Sequence, residues 1–296
     1  FEINVDPSIN SVHIVKLVLQ PIVENAIYHG LKYKESKGML TVNGYQKDGN
    51  AVIEIADDGV GMDEETLNRF IGKHPYRLRT ARLLMHYNFP LYDQTESEYF
   101  PVGEVQFERM KQDLRQARKF IFMEYFIIGE NRVWAEIHEI LRERAAHGVE
   151  VRVLYDGTCE FARLPSGYPD YLRSLGIQCK VFSPIYPFVS TKYNYRDHRK
   201  IVVIDGETGF TGGANLADEY INRIHPYGRW KDAAIRLRGR SVKSLTLLFL
   251  QMWHADDGDI FIGDLLKGED ARVNLIEGGF VIPFGDNPMD EEKVAE

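Results

Sequence analysis

Apolar positions recur along the chain with two different periods, and their alternation sets out the expected elements. Phe107, Met110, Leu114 and Ala117 are spaced three to four residues apart, which predicts an amphipathic helix. Phe120 to Ile128 then reads as a strand, Val133 to Ala146 as a helix stopped by Gly148, and Val149 to Tyr155 as a second strand. Tyr168 to Leu175, ended by Gly176, and then Gln178 to Phe182 repeat that order. Helix and strand in alternation argue for βαβ units with parallel strands, an α/β fold. Ser183 to Asn194, with Pro184 and Pro187, reads as a loop. Ile201-Val-Val-Ile204 is apolar without alternation, as in a strand buried on both faces, and Asp205-Gly206 ends it with a turn. Ala233 to Leu237 reads as a further strand, and Gly239 to Trp253 as a helix whose wide apolar face suits a core.

The first 70 residues follow another order. Leu17, Val18, Ile22, Val23, Ala26 and Ile27 give a helical pattern over Ile14 to Lys32, kinked or restarted by Pro21 and ended near Gly30. Met39 to Tyr45 and Ala51 to Ala56 are strand-like runs around Lys47-Asp-Gly-Asn50, a hairpin signal. Glu24, Asn25 and His29 cluster at helical spacing, and Asp57-Asp-Gly-Val-Gly-Met62 follows the second run.

Candidate chemistry concentrates in Tyr195-Arg-Asp-His-Arg-Lys-Ile-Val-Val-Ile-Asp205. His198 and Lys200 are two apart, so on a strand over Arg199 to Ile204 both side chains leave the same face. That face then carries a nucleophile and a cation. Thr211-Gly-Gly-Ala-Asn215 places Gly212 and Gly213 beside an amide, which permits close approach by a phosphate. Glu124 lies in an apolar strand and needs a partner, with site support and structural hydrogen bonding both open. Trp230 and Asp232 read as structural, and Lys231 as a phosphate contact. His13, His29, His74, His86, His138, His147, His225 and His254 belong to no such constellation.

Composition narrows the classes. The 296 residues suffice for two domains, and 44% hydrophobic with 27% charged residues is an ordinary globular mixture. A formal charge of -8 argues against a broad nucleic-acid footprint. Lys192, Arg196, Arg199, Lys200, Arg223, Arg229 and Lys231 form a local basic cluster within that acidic chain. The two cysteines, Cys159 and Cys179, lack the paired spacing of a zinc site and read as reduced thiols in a cytoplasmic protein. No apolar stretch approaches the ~20 residues of a membrane span, and the opening Phe-Glu-Ile-Asn-Val-Asp lacks a basic signal sequence, so any membrane contact is expected to be peripheral.

His198, Lys200, Asp205, Gly212, Gly213 and Asn215 together match H-x-K-x4-D-x6-G-G-x-N, and here the chain resembles the phospholipase D superfamily. Phe122-Met-Glu-Tyr-Phe-Ile-Ile128, Asn194-Tyr-Arg-Asp-His198, Gly212 to Asn222 and Trp230-Lys-Asp232 resemble its bacterial cardiolipin synthase branch, over roughly residues 75 to 290. Gln20-Pro-Ile-Val-Glu-Asn-Ala-Ile-Tyr-His-Gly30 and Asp57-x-Gly59-x-Gly61 resemble the N box and first glycine box of sensor histidine kinase ATPase domains. That second resemblance stops near Phe70, before a nucleotide lid, a second glycine box or a phosphoacceptor helix.

The resemblances imply a phospholipase D-type α-β-α sandwich half over residues 104-296, preceded by a linker over 71-103 and a truncated ATPase-like α/β segment over 1-70. The exposed edge of that truncated sheet is expected to favour self-association or local disorder. By resemblance, His198 is the nucleophile, Lys200 the cation for nonbridging oxygens, Asp205 the group fixing the imidazole, and Asn215 an amide donor to the same oxygens. The implied reaction is phosphatidyl transfer between phosphatidylglycerol molecules through a phosphatidyl-histidine, forming cardiolipin and glycerol. It needs no metal or cofactor. Its leaving-group acid is a second histidine, and the sequence holds one H-x-K-x4-D, so the site is expected to be impaired alone and to need a homodimer or a second-half partner at the inner face of a bacterial membrane. In the kinase resemblance Asn25 would hold Mg2+ and Asp57 the adenine of ATP, with Gly59 and Gly61 beside it, and because the phosphate-cradling part is missing Asn25 and Asp57 read as vestigial structural residues ahead of working ligands. A single-motif nuclease is the remaining class, disfavoured by charge. Natural fusion, assembly error and designed chimera are alike in sequence.

Overall fold

The structure, a computed structural model, describes residues 1–12, 23, 38–47, 49–57, 64–73, 89–184, 196–255 and 279–285. Most of the helix expected over 14–32 lies outside them, as do Asn25, Gly59, Gly61, Lys192 and most of the loop expected over 183–194. The chain divides into two compact units, the first running through Tyr92 and the second starting at Asp93.

In the first unit, β1 (Glu2–Val5) pairs parallel with β2 (Leu40–Lys47), which pairs antiparallel with β3 (Asn50–Asp57). The expected hairpin forms, with Lys47 opposite Asn50 and Gly49 at φ +82, a conformation that favours glycine. β1 was not expected. It covers one edge of β2 while its own four residues stay exposed. Asp57 ends β3, and α1 (Glu64–Lys73) follows.

The second unit is one sheet, ordered β11-β4-β10-β9-β8-β5-β6-β7. Its elements are β4 (Tyr92–Phe100), α2 (Gly103–Arg115), β5 (Phe120–Tyr125), α3 (Arg132–Ala146), β6 (Glu150–Asp156), α4 (Thr158–Ala162), α5 (Tyr168–Ser174), β7 (Ile177–Phe182), β8 (Lys200–Ile204), β9 (Thr208–Gly212), β10 (Ala234–Gly239), α6 (Val242–Trp253) and β11 (Gly279–Val281). The expected parallel arrangement holds for β5, β6 and β7, whereas β8 with β5, β9 with β8, β10 with β9 and β4 with β10 pair antiparallel. The reason is connection length. Asp205 to Glu207 is too short to cross over, so β8 and β9 must form a hairpin.

Alternation along β5 divides the layers. Ile121, Met123 and Tyr125 join the core built with Met110 and Leu114 of α2 and Trp134, Ile137 and Leu141 of α3. On the other face Phe122 stacks on Phe249 of α6, with ring centroids 4.8 Å apart. Residues 92–100, read in sequence within a linker, supply β4, which pairs antiparallel with β10.

Candidate active site

β8 begins at Lys200, antiparallel to β5 with Lys200 opposite Tyr125. The start of β8 therefore meets the end of β5, and His198 comes to lie over Phe126. Their rings are 4.6 Å apart, and the Lys200 ammonium sits 5.2 Å from the Phe126 ring centre. Lys200 Nζ is 3.2 Å from His198 Nδ1 and donates to the His198 carbonyl at 2.6 Å. His198 is exposed, whereas Lys200 is 5% exposed. The imidazole and ammonium thus share one face where β8 begins, at the strand ends of the sheet, open to solvent through the histidine.

The surroundings set both charges. Burial pulls Lys200 down to about 8, against the opposing charges of Asp197 and Asp232. Burial and the Lys200 charge lower His198 as well, while Asp197 and Asp156 oppose this. At neutral pH the site holds a neutral imidazole beside an ammonium, able to attack an electrophile and to hold an anion.

Arg199 lies between them in sequence and turns the other way. Its Nε donates to Glu124 at 2.6 Å and its Nη2 to the Leu248 carbonyl at 2.9 Å, on the α6 face. Asp197 accepts the Arg199 amide at 3.1 Å, and its own amide donates to Asp156 at 3.3 Å. Arg196 reaches Asp156 at 3.4 Å and the Ser183 carbonyl at 2.8 Å. His198 is thereby carried on a short segment held at both ends by buried charges. Glu124 is fully buried, and burial, with Asp197 beside it, raises its carboxyl well above the usual range despite Arg199.

The glycines and the amide make close contacts within the protein. A Cβ on Gly212 would meet the Ala234 Cβ at 2.5 Å and the Ala233 carbonyl at 2.7 Å, and one on Gly213 would meet Asp232 Oδ1 at 2.5 Å. The segment 232–234 is what approaches closely here. Asp232 also accepts the Trp230 indole N–H. Asn215 is 3% exposed, its Oδ1 accepts the Ile127 amide at 3.0 Å, and its amide lies beside the Tyr220 hydroxyl. It fixes the segment that bears Phe126, and donation to a phosphate would fall to its amide nitrogen, which carries two N–H groups.

Asp205 requires a correction. It stands past the far end of β8, about 16 Å of strand beyond Lys200 and farther from His198. Its carboxylate accepts the amides of Arg118, Lys119 and Phe120 at 2.9, 2.7 and 2.9 Å. It pins the start of β5 at a residue with φ +55, and orienting the imidazole is not its task. Among the described residues no carboxylate bonds either ring nitrogen of His198.

Sequence reasoning passed over Phe126, Asp156 and Asp197. Phe126 closes an apolar run and looked like core; its place just past the end of a strand was the available signal. Among the described residues no three His, Cys, Asp or Glu side chains converge as metal ligands.

Residues 110–253 match the family described as cardiolipin synthase, phospholipase D-like domain. This part of the chain is a phospholipase D-like domain. Cardiolipin synthase of Halalkalibacterium halodurans is 34% identical over 228 residues, 77% of this chain and 44% of that protein. An uncharacterized protein of Streptococcus mutans is 52% identical over 208 residues, 70% of this chain and 45% of that protein. The phospholipase D family member Nuc from Salmonella typhimurium matches with a TM-score of 0.42 and 16% identity, covering 55% of this chain and 95% of that one. The chain spans less than half the length of these curated relatives. Ahead of the phospholipase D-like domain, residues 11–91 match the histidine kinase-, DNA gyrase B- and HSP90-like ATPase family, extending past Phe70, where the sequence resemblance was expected to stop.

Proposed function

We propose that the phospholipase D-like domain supplies half of a phosphatidyltransferase site of the cardiolipin synthase type. The observation that carries this is the open imidazole of His198 with the Lys200 ammonium 3.2 Å from it. A phosphate arriving at these strand ends gives Lys200 a better acceptor than Nδ1, and the ammonium then neutralises the nonbridging oxygens. The imidazole attacks phosphorus, a P–N bond forms, and the P–O bond to the glycerol headgroup of phosphatidylglycerol breaks. The departing alkoxide takes a proton from a histidine outside this half-site, in a second copy or a partner chain. A hydroxyl of another phosphatidylglycerol then attacks phosphorus, giving cardiolipin and returning the imidazole. Relatives named cardiolipin synthase support the lipid class. The reaction belongs at a bilayer surface, on the side where the partner half is held.

Intact mass after incubation with phosphatidylglycerol micelles tests this reading. A phosphatidyl adduct is expected on the native chain and absent from His198→Ala. If neither native chain nor variant gains mass and no cardiolipin forms, alone or with a second-half chain, the proposal fails.

For residues 11–91 the family match favours nucleotide binding, with Asn25 toward Mg2+ and Asp57, Gly59 and Gly61 toward ATP. Calorimetric titration of native chain and Asn25→Ala with MgATP tests it, and heats of dilution alone would end it.

A further inference from the structure

The basic cluster read from sequence is not uniform in the structure. Arg196, Arg199 and Arg223 are tied to Asp156, Glu124 and Glu136. Arg229 and Lys231 are exposed and have no ionic partner among the described residues. Both lie in one loop, and between Arg223 and Arg229 that loop exposes Ile224 at 50% and Tyr227 at 80%.

The loop is closed and supported at its base. Asn222, at φ +55, donates to the Trp230 carbonyl at 2.9 Å and accepts the Trp230 amide at 2.7 Å. Its side chain also donates to Glu104 at 2.8 Å, and Trp230 packs edge-on against Tyr220 with ring centroids 4.6 Å apart. An apolar and aromatic tip is thus held outward by polar contacts instead of folding back onto the protein. Beyond Trp230 the chain passes to Asp232, which lies against Gly213 and whose charge acts on Lys200. The loop and the candidate site are continuous.

A tyrosine and an isoleucine at the tip with two unpaired cations at the shoulder match the layering of an anionic bilayer surface. Apolar groups enter the acyl boundary, the phenol stays at headgroup level, and cations meet lipid phosphates. On a chain of net charge -8, this local reversal of sign gives the contact an orientation. We propose that the loop 222–231 docks the phospholipase D-like domain on anionic phospholipid bilayers, so that lipid phosphates meet the protein beside His198 and Lys200. This rests on the phosphatidyltransferase reading above, which named no docking element.

Sedimentation with vesicles of phosphatidylcholine, with and without phosphatidylglycerol, tests it on the full chain. Binding is expected only to the anionic vesicles and should weaken with salt. Arg229→Gln with Lys231→Gln should weaken it about thirtyfold, at the ~1 kcal/mol per cation typical near such surfaces. Ile224→Ala with Tyr227→Ala should weaken it about tenfold, and in Tyr227→Trp the indole emission should shift to the blue on binding. His198→Ala should bind like the native chain, which separates failed docking from failed chemistry. No binding of the native chain, or an indole emission unmoved in bound protein, would overturn the proposal. So would a DNA duplex bound through this loop more tightly than the vesicles.

Discussion

Arg199 meets Glu124 at 2.6 Å beneath α6, on the side of β8 opposite the imidazole it adjoins in sequence. The pair ties the segment carrying His198 to β5, the strand that ends just before Phe126. Glu124 Oε2 and Asp197 Oδ2 are both buried without a hydrogen-bond donor among the described residues, and burial, with Asp197 beside it, raises the pKa of Glu124 against the pull of Arg199.

Removing the guanidinium should therefore be severe and removing the Glu124 charge mild. Arg199→Met leaves two buried carboxylates without their cation and is expected to cost about 3 to 5 kcal/mol. Glu124→Gln keeps the shape and an acceptor for Arg199, brings an amide N–H beside Asp197, and is expected to cost about 1 kcal/mol or less. Urea unfolding of the two variants checks the order, and equal losses would contradict the arrangement.

The pH dependence of adduct formation follows from two lowered values. Below its own pKa, shifted under the usual 6.5, His198 takes a proton and cannot attack, so the rate should fall on the acid side. Above about 8, Lys200 loses its charge and the rate should fall again. Lys200→Arg should keep whatever rate it retains flat through pH 9, because a guanidinium stays charged. Initial rates of His198 modification from pH 5 to 10 provide the measurement.

Asp205→Ala should lower stability without touching the chemistry. It strands three amides at the start of β5 and puts a β-carbon residue with no polar side chain at φ +55. A loss of about 2 to 4 kcal/mol is expected. Asp205→Asn, which keeps an acceptor and tolerates that conformation, should lose less. In folded protein the rate of His198 modification should match the native chain.

Cys159 and Cys179 are buried and form no disulfide, and burial raises their thiols to about 11 and about 12. Neither should react with iodoacetamide at pH 8 in the native state, and both should react in urea. Peptide mass mapping distinguishes the two states.

Sequence periodicity located α2, β5, α3, β6, α5, β7 and α6 because each buries a face with its own spacing. It could not show strand direction, since a period of two is the same for parallel and antiparallel pairs. β4 escaped because its inward positions near the start are Asp93 and Thr95, polar residues that break the alternation. Within the site, the shared face of His198 and Lys200 was legible from their spacing. The buried carboxylates around them were not, because Asp156 and Asp197 acquire their role only when β6 and the start of β8 come together.

β8 writes the character of its leading end by parity. His198 and Lys200 look toward Phe126, and Arg199 looks toward α6. Inserting one residue between Arg199 and Lys200 would leave the hydrophobic run able to fill its slot, yet a guanidinium would stand where the imidazole now does, and deleting Arg199 would put the Asp197 carboxylate there. In lineages of this domain, single-residue length changes at that point should be purged even where substitutions on either side are tolerated.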